Sequence, residues 1–299
     1  MAKVTIITPT FNRESELVSL YNSLKSQTNH DFIWMIIDDG STDNTKTVID
    51  GFDKEKFSIK YIYKKNGGKH TALNVAFANL ETEIAFIVDS DDYLEEGAIS
   101  VIVSDWQKYV KGKKNICGLV YKRKNSNGSF ICDDFGYDIK QDNYNSFIIN
   151  RNISGDKCEV FKSSILSKYR FPEFKNEKFM GEGFLWSKMA RAYDMVFIND
   201  GFYVCEYLNT GLTKSGRKFR IQNPRGGMCH AEEYLDKIYS FRVREKNALL
   251  YLTYSFFIPL RIRETISKSN YKLFLIMNII PSVLLYFIWK NKYNGDVHD

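Results

Sequence analysis

At 299 residues, 44% hydrophobic and 26% charged, the chain has the make-up of a globular protein, and neither disorder nor a fibrous repeat fits it. The net charge of +6 is concentrated near one end, where residues 240–292 hold nine Lys/Arg against two acids, a local balance of +7. No nucleic-acid-binding motif accompanies these cations, so the expected partner is an anionic membrane surface and not a nucleic acid.

The chain opens on Met1-Ala-Lys-Val-Thr-Ile-Ile-Thr-Pro-Thr10, which runs directly into a strand pattern and lacks the apolar core of a signal peptide. The cysteines at 117, 132, 158, 205 and 229 form no CxxC or Cys/His pattern and read as reduced thiols. Together these predict a cytoplasmic protein, peripheral on the inner face of the cell membrane.

Apolar, β-rich runs at Val4–Thr8, Phe32–Ile37, Ile59–Tyr63 and Ile84–Val88 alternate with helical stretches at Glu14–Gln27, Thr42–Gly51 and His70–Leu80. Continuous apolar strands separated by helices predict an α/β fold, a parallel sheet covered on both faces with right-handed crossovers. Ligands of such sheets bind at the carboxyl ends of the strands, near a switch in strand order. Polar punctuation falls at those ends: Thr8–Arg13, Asp38–Asp43 and Asp89–Asp92. Ser41 or Thr42 also suits the N-cap of the second helix, so part of this signal is turn chemistry.

Beyond Ala98 the pattern mixes short strands near Gly118–Arg123 and Ser129–Asp133 with a helix near Ser163–Lys168. A Gly/Lys/Arg-rich loop is expected over Gly211–Gly227, followed by a helical, basic and aromatic C-terminal region.

Asp89, Asp91 and Asp92 follow the fourth strand, where close carboxylates repel unless a cation or strong donors neutralise them. Mn2+ or Mg2+ commonly joins one or two carboxylates to substrate phosphates, and these three are the candidate metal ligands. Read alone, the motif is also an acidic turn capping a helix. In Asp38-Asp39-Gly-Ser-Thr-Asp43, a fixed carboxylate can accept a nucleobase N–H or bind ribose hydroxyls, or simply cap the next helix. Asn66-Gly67-Gly68-Lys69-His70 precedes the third helix, where free N–H groups, the positive dipole end and Lys69 attract phosphate. A plain glycine turn explains the same residues. Neither a P-loop nor a GxGxxG fingerprint occurs.

Pro-Thr-Phe-Asn-Arg13, the Asp-Asp-Gly-Ser-Thr-Asp43 loop, Asn-Gly-Gly-Lys-His-Thr-Ala-Leu-Asn74 and Asp-Ser-Asp-Asp92 stand in the order seen in family 2 glycosyltransferases of the GT-A fold, which the chain resembles closely over residues 3–100 and loosely to about residue 213. The resemblance implies a Rossmann-related mixed sheet flanked by helices, in a catalytic domain over 1–227, and the basic, aromatic composition beyond it predicts a helical, membrane-associating region over 228–299. It implies a metal-dependent, inverting hexosyltransferase that uses a nucleoside-diphosphate sugar, UDP-linked, in surface polysaccharide synthesis, and the expected membrane association points to a lipid-linked saccharide as acceptor. By the same resemblance Thr10 and Asp39 contact the nucleotide, Lys69 lies close to it, and Asp91 is the principal metal ligand, supported by Asp89 and Asp92. Pro9, Asn12, Arg13, Asp89 and Ser90 join the donor-binding set.

The family places its catalytic carboxylate in a Glu-Asp pair at a helix start. Here the matching stretch is Met180-Gly181-Glu182-Gly183-Phe184, so Glu182 is the expected base, Gly183 replaces the aspartate, and Glu177 is the fallback. Glu182 read alone is an acid favoured by a helix dipole. Lys214 and Arg217, in the basic loop, are candidates to clamp a diphosphate, or merely solvated cations. The apolar run Leu273–Trp289 is interrupted by Asn278, Pro281 and Ser282 and flanked by Lys272 and Lys290. It suits a segment in the membrane interface, with a core helix or a short span as alternatives. Two rival functions remain: a sugar-nucleotide-binding protein without turnover, and a sugar-nucleotide pyrophosphorylase, which should carry a glycine-rich loop after the first strand where Pro9–Arg13 has none.

Overall fold

The computed structural model describes residues 3–205, 212–259 and 261–293, without the side chains of 212–215. The chain packs as two compact units, Met1–Phe171 with Met189–Leu208, and Pro172–Lys188 with Asn209–Asp299. The expected division at Gly227 is one of role, and this one is of packing.

In the first unit the expected series is present as β1 (Val4–Thr10), α1 (Glu16–Lys25), β2 (Phe32–Asp38), α2 (Thr45–Asp50), β3 (Ser58–Tyr63), α3 (Lys69–Ala78) and β4 (Ile84–Ile87). Every residue of β1 is buried, which is why the strand reads as a continuous apolar run and not as an alternation. β1 pairs in parallel with both β2 and β4, and β2 with β3. The chain therefore reverses its direction of travel between β1 and β4, the switch point at whose carboxyl edge ligands of such sheets sit.

The unit continues through β5 (Tyr93–Leu94), α4 (Ala98–Tyr109), β6 (Ile116–Asn125), β7 (Ile139–Asp142), β8 (Lys157–Lys162), α5 (Ser163–Leu166) and β9 (Asp194–Cys205). Among the described residues the sheet has nine strands, in the order β3-β2-β1-β4-β8-β6-β9-β5, with β7 also on β9. β8 runs antiparallel to β4 and β6, which makes the sheet mixed. Leu17, Leu20 and Leu24 of α1 and Ile99, Ile102 and Trp106 of α4 share one core with Ile6, Trp34 and Phe86 of the strands. The strand expected over Ser129–Asp133 is reduced to a single bridge, Lys124 to Phe130.

The second unit is helical: α6 (Gly183–Met189), α7 (Leu212–Ile221), α8 (Pro224–Glu233), α9 (Phe241–Ser255), α10 (Ile262–Lys268), α11 (Lys272–Met277) and α12 (Ile279–Tyr293). The loop expected over Gly211–Gly227 is therefore largely helix. Gly226 serves packing: a Cβ there would lie 2.4 Å from the carbonyl oxygen of Phe179, so α8 approaches that backbone only because the side chain is missing. Gly216 (φ 52°, ψ −130°) does interrupt α7. Pro224 begins α8, where its missing N–H costs nothing. The run Leu273–Trp289 is two helices, not one, and Pro281 falls in the first turn of α12, where it is tolerated. Among the described residues no helix is long and apolar enough to cross a membrane.

Candidate donor and catalytic site

At the carboxyl edge of β1 and β2 the two expected loops hold each other. The Asp39 N–H donates to the carbonyl of Thr10 at 2.8 Å. Asn12, at φ 51°, donates its N–H to Ser41 Oγ (2.9 Å), and its Oδ1 accepts the N–H of Thr42 (2.8 Å). Ser41 and Thr42 thus bind Asn12 and do not cap α2, which starts later, after Asn44. Pro9 lies within β1 opposite Ile37. Thr10 Oγ1 is buried and makes no hydrogen bond among the described residues, leaving a polar atom at the switch point that a ligand can satisfy.

The Asp39 carboxylate accepts from the N–H groups of Gly67 (2.9 Å) and Gly68 (2.6 Å) and from Lys64 Nζ (2.6 Å). It offers about four acceptor positions, so its first role is to shape the glycine loop, and a nucleotide would use what is left. Gly68, at φ 93°, precedes Lys69, the first residue of α3. Lys69 Nζ reaches Asp89 Oδ1 at 2.5 Å, so the phosphate-attracting cation of one loop is tied to the acidic loop after β4.

The three carboxylates of that loop have three different environments. Asp89 faces Lys69 on one oxygen and Arg123 (3.6 Å) on the other. Burial acts to raise its pKa, but the two cations outweigh it and leave it below its ordinary value. Asp92 is buried, accepts from Tyr203 OH at 2.7 Å and lies 3.5 Å from Arg123. Burial and the neighbouring Asp89 push its pKa up to about 7. The pKa of Asp91 is raised by burial and by Asp89; it forms a long ion pair, 3.9 Å to Arg13, whose guanidinium is held closer by Glu16 at 2.7 Å. Ser90 is buried between them.

No group of three ligand side chains that could hold a metal occurs among the described residues. Of the three expected aspartates, Asp89 and Asp92 face Lys69, Arg123 and Tyr203. What remains fits a cation held by one protein carboxylate, Asp91, and completed by substrate phosphates and water, as is common for Mg2+.

In the second unit Glu182 immediately precedes α6, and its carbonyl accepts the N–H groups of Leu185 (2.8 Å) and Trp186 (3.3 Å). A carboxylate there benefits from the positive end of the helix. Glu177, the fallback base, is buried and accepts the N–H groups of Arg225 (2.9 Å) and Gly226 (2.8 Å). It closes the N-terminus of α8, which Pro224 cannot, and so belongs to the scaffold. A Cβ on Gly183 would lie 3.3 Å from Tyr234 OH, and one on Gly181 would lie 3.0 Å from the ring of His230. Those two side chains occupy the space beside Glu182 into which flanking side chains would project, which accounts for a glycine where an aspartate is expected. Arg217 stacks over Trp289, 4.6 Å from the ring centroid; the side chain of Lys214 lies outside the described residues.

Residues 5–173 match the family described as Glycosyl transferase family 2. The chain belongs to that family. Among its relatives is a GalNAc(5)-diNAcBac-PP-undecaprenol beta-1,3-glucosyltransferase of Campylobacter jejuni, 32% identical over 64% of this chain and 60% of that protein's length. Glycosyltransferase GlyG of Streptococcus pneumoniae is 28% identical over 67% of this chain and 69% of its own. The fold is that of Staphylococcus aureus TarS 1–349 in complex with UDP-GlcNAc, at TM-score 0.65 and 20% identity, covering 94% of this chain and 81% of that one. A mannosyltransferase of Pyrobaculum calidifontis in complex with GDP-Man and Mn2+ aligns at TM-score 0.58 and 15% identity over 98% of this chain and 88% of that one.

For a family 2 glycosyltransferase, sequence reasoning missed Arg123, Tyr203 and Lys64. Arg123 stacks on the Tyr203 ring at 3.9 Å and donates from Nε to the carbonyl of Lys157, while Tyr203 OH accepts the N–H of Asp89 at 2.9 Å. One signal was present: an arginine ending an apolar strand pattern must find a partner for its buried charge.

Proposed function

We propose that this glycosyltransferase transfers a sugar, with inversion, from a UDP-sugar to a hydroxyl of a lipid-linked saccharide at the cytoplasmic face of the membrane, in surface polysaccharide synthesis. The observation that carries the donor half is the meeting, at the switch point, of the buried unpartnered Thr10 Oγ1, Asp39 under the glycine loop, and Lys69 tied to Asp89 at the N-terminus of α3. A nucleotide hydroxyl or base edge satisfies Thr10 and Asp39. The diphosphate takes the positive helix end and Lys69.

Asp91 would hold the divalent cation, Mn2+ or Mg2+, with donor phosphate oxygens completing its shell. When bound, the cation neutralises charge on the diphosphate. In the chain's own chemistry, Glu182 accepts the acceptor hydroxyl's proton as the oxygen attacks the anomeric carbon, the bond to the diphosphate oxygen breaks, and Lys69 stabilises the charge that develops there. Arg13 steadies Asp91, and Lys214 and Arg217 add cations for the leaving group. We assign catalysis to residues 1–227 and membrane association to 228–299, where the +7 balance of residues 240–292 favours an anionic surface.

The relative from Campylobacter jejuni is named for an undecaprenol-linked acceptor, which supports the acceptor class proposed here. The pyrophosphorylase alternative falls with family membership. The non-catalytic binder keeps one observation in its favour, Gly183 in place of the aspartate. A donor screen with purified protein, reading nucleoside diphosphate release with and without Mn2+, separates the two: transfer or release from a UDP-sugar supports the proposal, and binding without release from any donor supports the binder.

A further inference from the structure

We propose that the outer face of α11 and α12 inserts into lipid, the two helices lying in the plane of an anionic bilayer's interface with their apolar side among the acyl chains. This rests on the membrane reading above and deepens it. Basic charge alone gives adsorption that salt removes, whereas this face adds a contact that salt does not weaken.

The exposed residues set the argument. Leu273 (80%), Ile276 (51%), Met277 (76%), Ile280 (74%), Leu284 (61%), Phe287 (53%) and Ile288 (59%) are all more than half exposed. Their spacing follows i, i+3, i+4, i+7, i+11, i+14 and i+15, one stripe along two nearly continuous helices. Exposed apolar patches beyond a few hundred Å2 mark interaction sites.

The packed side carries polar residues among apolar ones: Leu275 and Trp289 are buried there, and Asn278 and Ser282 beside them. Asn278 and Ser282 are buried at 2% and 0%. Ser282 Oγ donates to the carbonyls of Asn278 (2.6 Å) and Leu249 (3.3 Å), and Asn278 Nδ2 donates to the carbonyl of Phe274 (3.0 Å). Thr253 of α9 is buried against the same turn and donates to the carbonyl of Ser282 at 3.5 Å. A helix bathed in water hides its apolar residues and shows its polar ones. Small hydrogen-bonding residues at a helix's packed side, opposite a continuous exposed apolar stripe, are found where lipid is the solvent.

Charge selects the occupant. Lys272, Lys290 and Lys292 bound the stripe at its two ends, and no Asp or Glu occurs between residues 265 and 293. A second copy of this face would bring lysines against lysines, while an anionic headgroup layer matches them. Fifteen residues of α12 span about 22 Å at 1.5 Å per residue, short of a hydrocarbon core of about 30 Å, so the helix lies in the interface and does not cross.

The test is flotation of the full chain with vesicles of phosphatidylglycerol and phosphatidylcholine, and of phosphatidylcholine alone. Salt is raised from about 0.1 M to about 1 M, where the screening length falls from about 10 Å to about 3 Å. The variants are Leu284→Glu with Phe287→Glu on the face, and Lys290→Ala with Lys292→Ala beside it. Circular dichroism and UDP binding check that each variant is folded. The proposal expects part of the wild-type binding to survive high salt, the Glu variant to lose that part by at least about tenfold, and the Lys variant to lose only the salt-sensitive part. Binding that salt abolishes and the Glu variant does not alter leaves peripheral adsorption standing and overturns insertion. Absence of binding to either vesicle overturns both. A dimer in solution that the Glu variant dissociates, without salt-resistant vesicle binding, overturns insertion in favour of a second copy.

Discussion

At the carboxyl edge of the sheet, the apolar residues of β1, β2 and β4 lie inside and the carboxylates gather where the strands end; in α11 and α12, Asn278 and Ser282 are buried beside Leu275 and Trp289 while a stripe of leucines and isoleucines from Leu273 to Ile288 stays exposed. Each arrangement needs a compensating environment. The aspartates receive theirs from within the fold, through Lys69, Arg123 and Tyr203. The helical face has none within the described residues, and its proposed complement is lipid. A polar cluster that the protein neutralises itself is thus set apart from an apolar face whose complement lies outside it.

The comparison is sharpened most by the carboxylate that the fold leaves least neutralised. Asp91→Asn should lower transfer by about a thousandfold, the scale of several kcal/mol of lost charge stabilisation, while the midpoint of thermal unfolding stays nearly unchanged. Unaltered turnover in that variant, with or without chelator, removes Asp91 from the site.

A second effect separates a buried ionisable group of the helical unit from the neutralised aspartates. Burial, with Arg220 and Lys246 nearby, lowers the pKa of His230 from 6.5 to about 4. The folded protein keeps this ring neutral where the unfolded chain protonates it, so stability is fully present above pH 6.5 and is lost as pH falls toward 4. The loss reaches at most about 3 kcal/mol at the conversion of 1.36 kcal/mol per pK unit. Urea unfolding across that window should show a shallower pH slope in His230→Asn; identical slopes contradict the assignment.

Glu177→Gln should cost about 1–3 kcal/mol of stability, because a charge-assisted acceptor at the start of α8 is weakened, while the transfer rate per folded molecule is kept. A selective loss of turnover there would return Glu177 to the chemistry. The smallest effect is expected of Arg217→Ala: about 0.5–1 kcal/mol from the lost stacking on Trp289 and a few-fold fall in transfer rate, read by unfolding and by steady-state kinetics.

The donor edge was legible because its signals are local. Continuous apolar runs placed β1 to β4 within a residue or two, and the acidic and glycine motifs fell where strands stop. Arg123 and Tyr203 were not legible as partners of Asp89 and Asp92, since 34 and 111 residues separate Arg123 from Asp89 and Tyr203 from Asp92, and only the pairing of β6 with β9 brings them together. Glu177, five positions before Glu182, is not legible as the acceptor at the start of α8, because α8 begins at Pro224, far along the chain. The basic stretch 211–227 reads as loop because glycine signals backbone freedom, whereas Gly226 provides close approach to the carbonyl of Phe179.

The central claim, that a donor-binding edge is served by a separate base, is tested most directly by measuring UDP-sugar affinity and single-turnover transfer side by side in the wild type and Glu182→Gln. The expected result is donor affinity within a factor of about two and a transfer rate lower by about a hundredfold or more, the usual contribution of a positioned base. Equal rates in the two proteins, or loss of donor binding together with turnover, would contradict it.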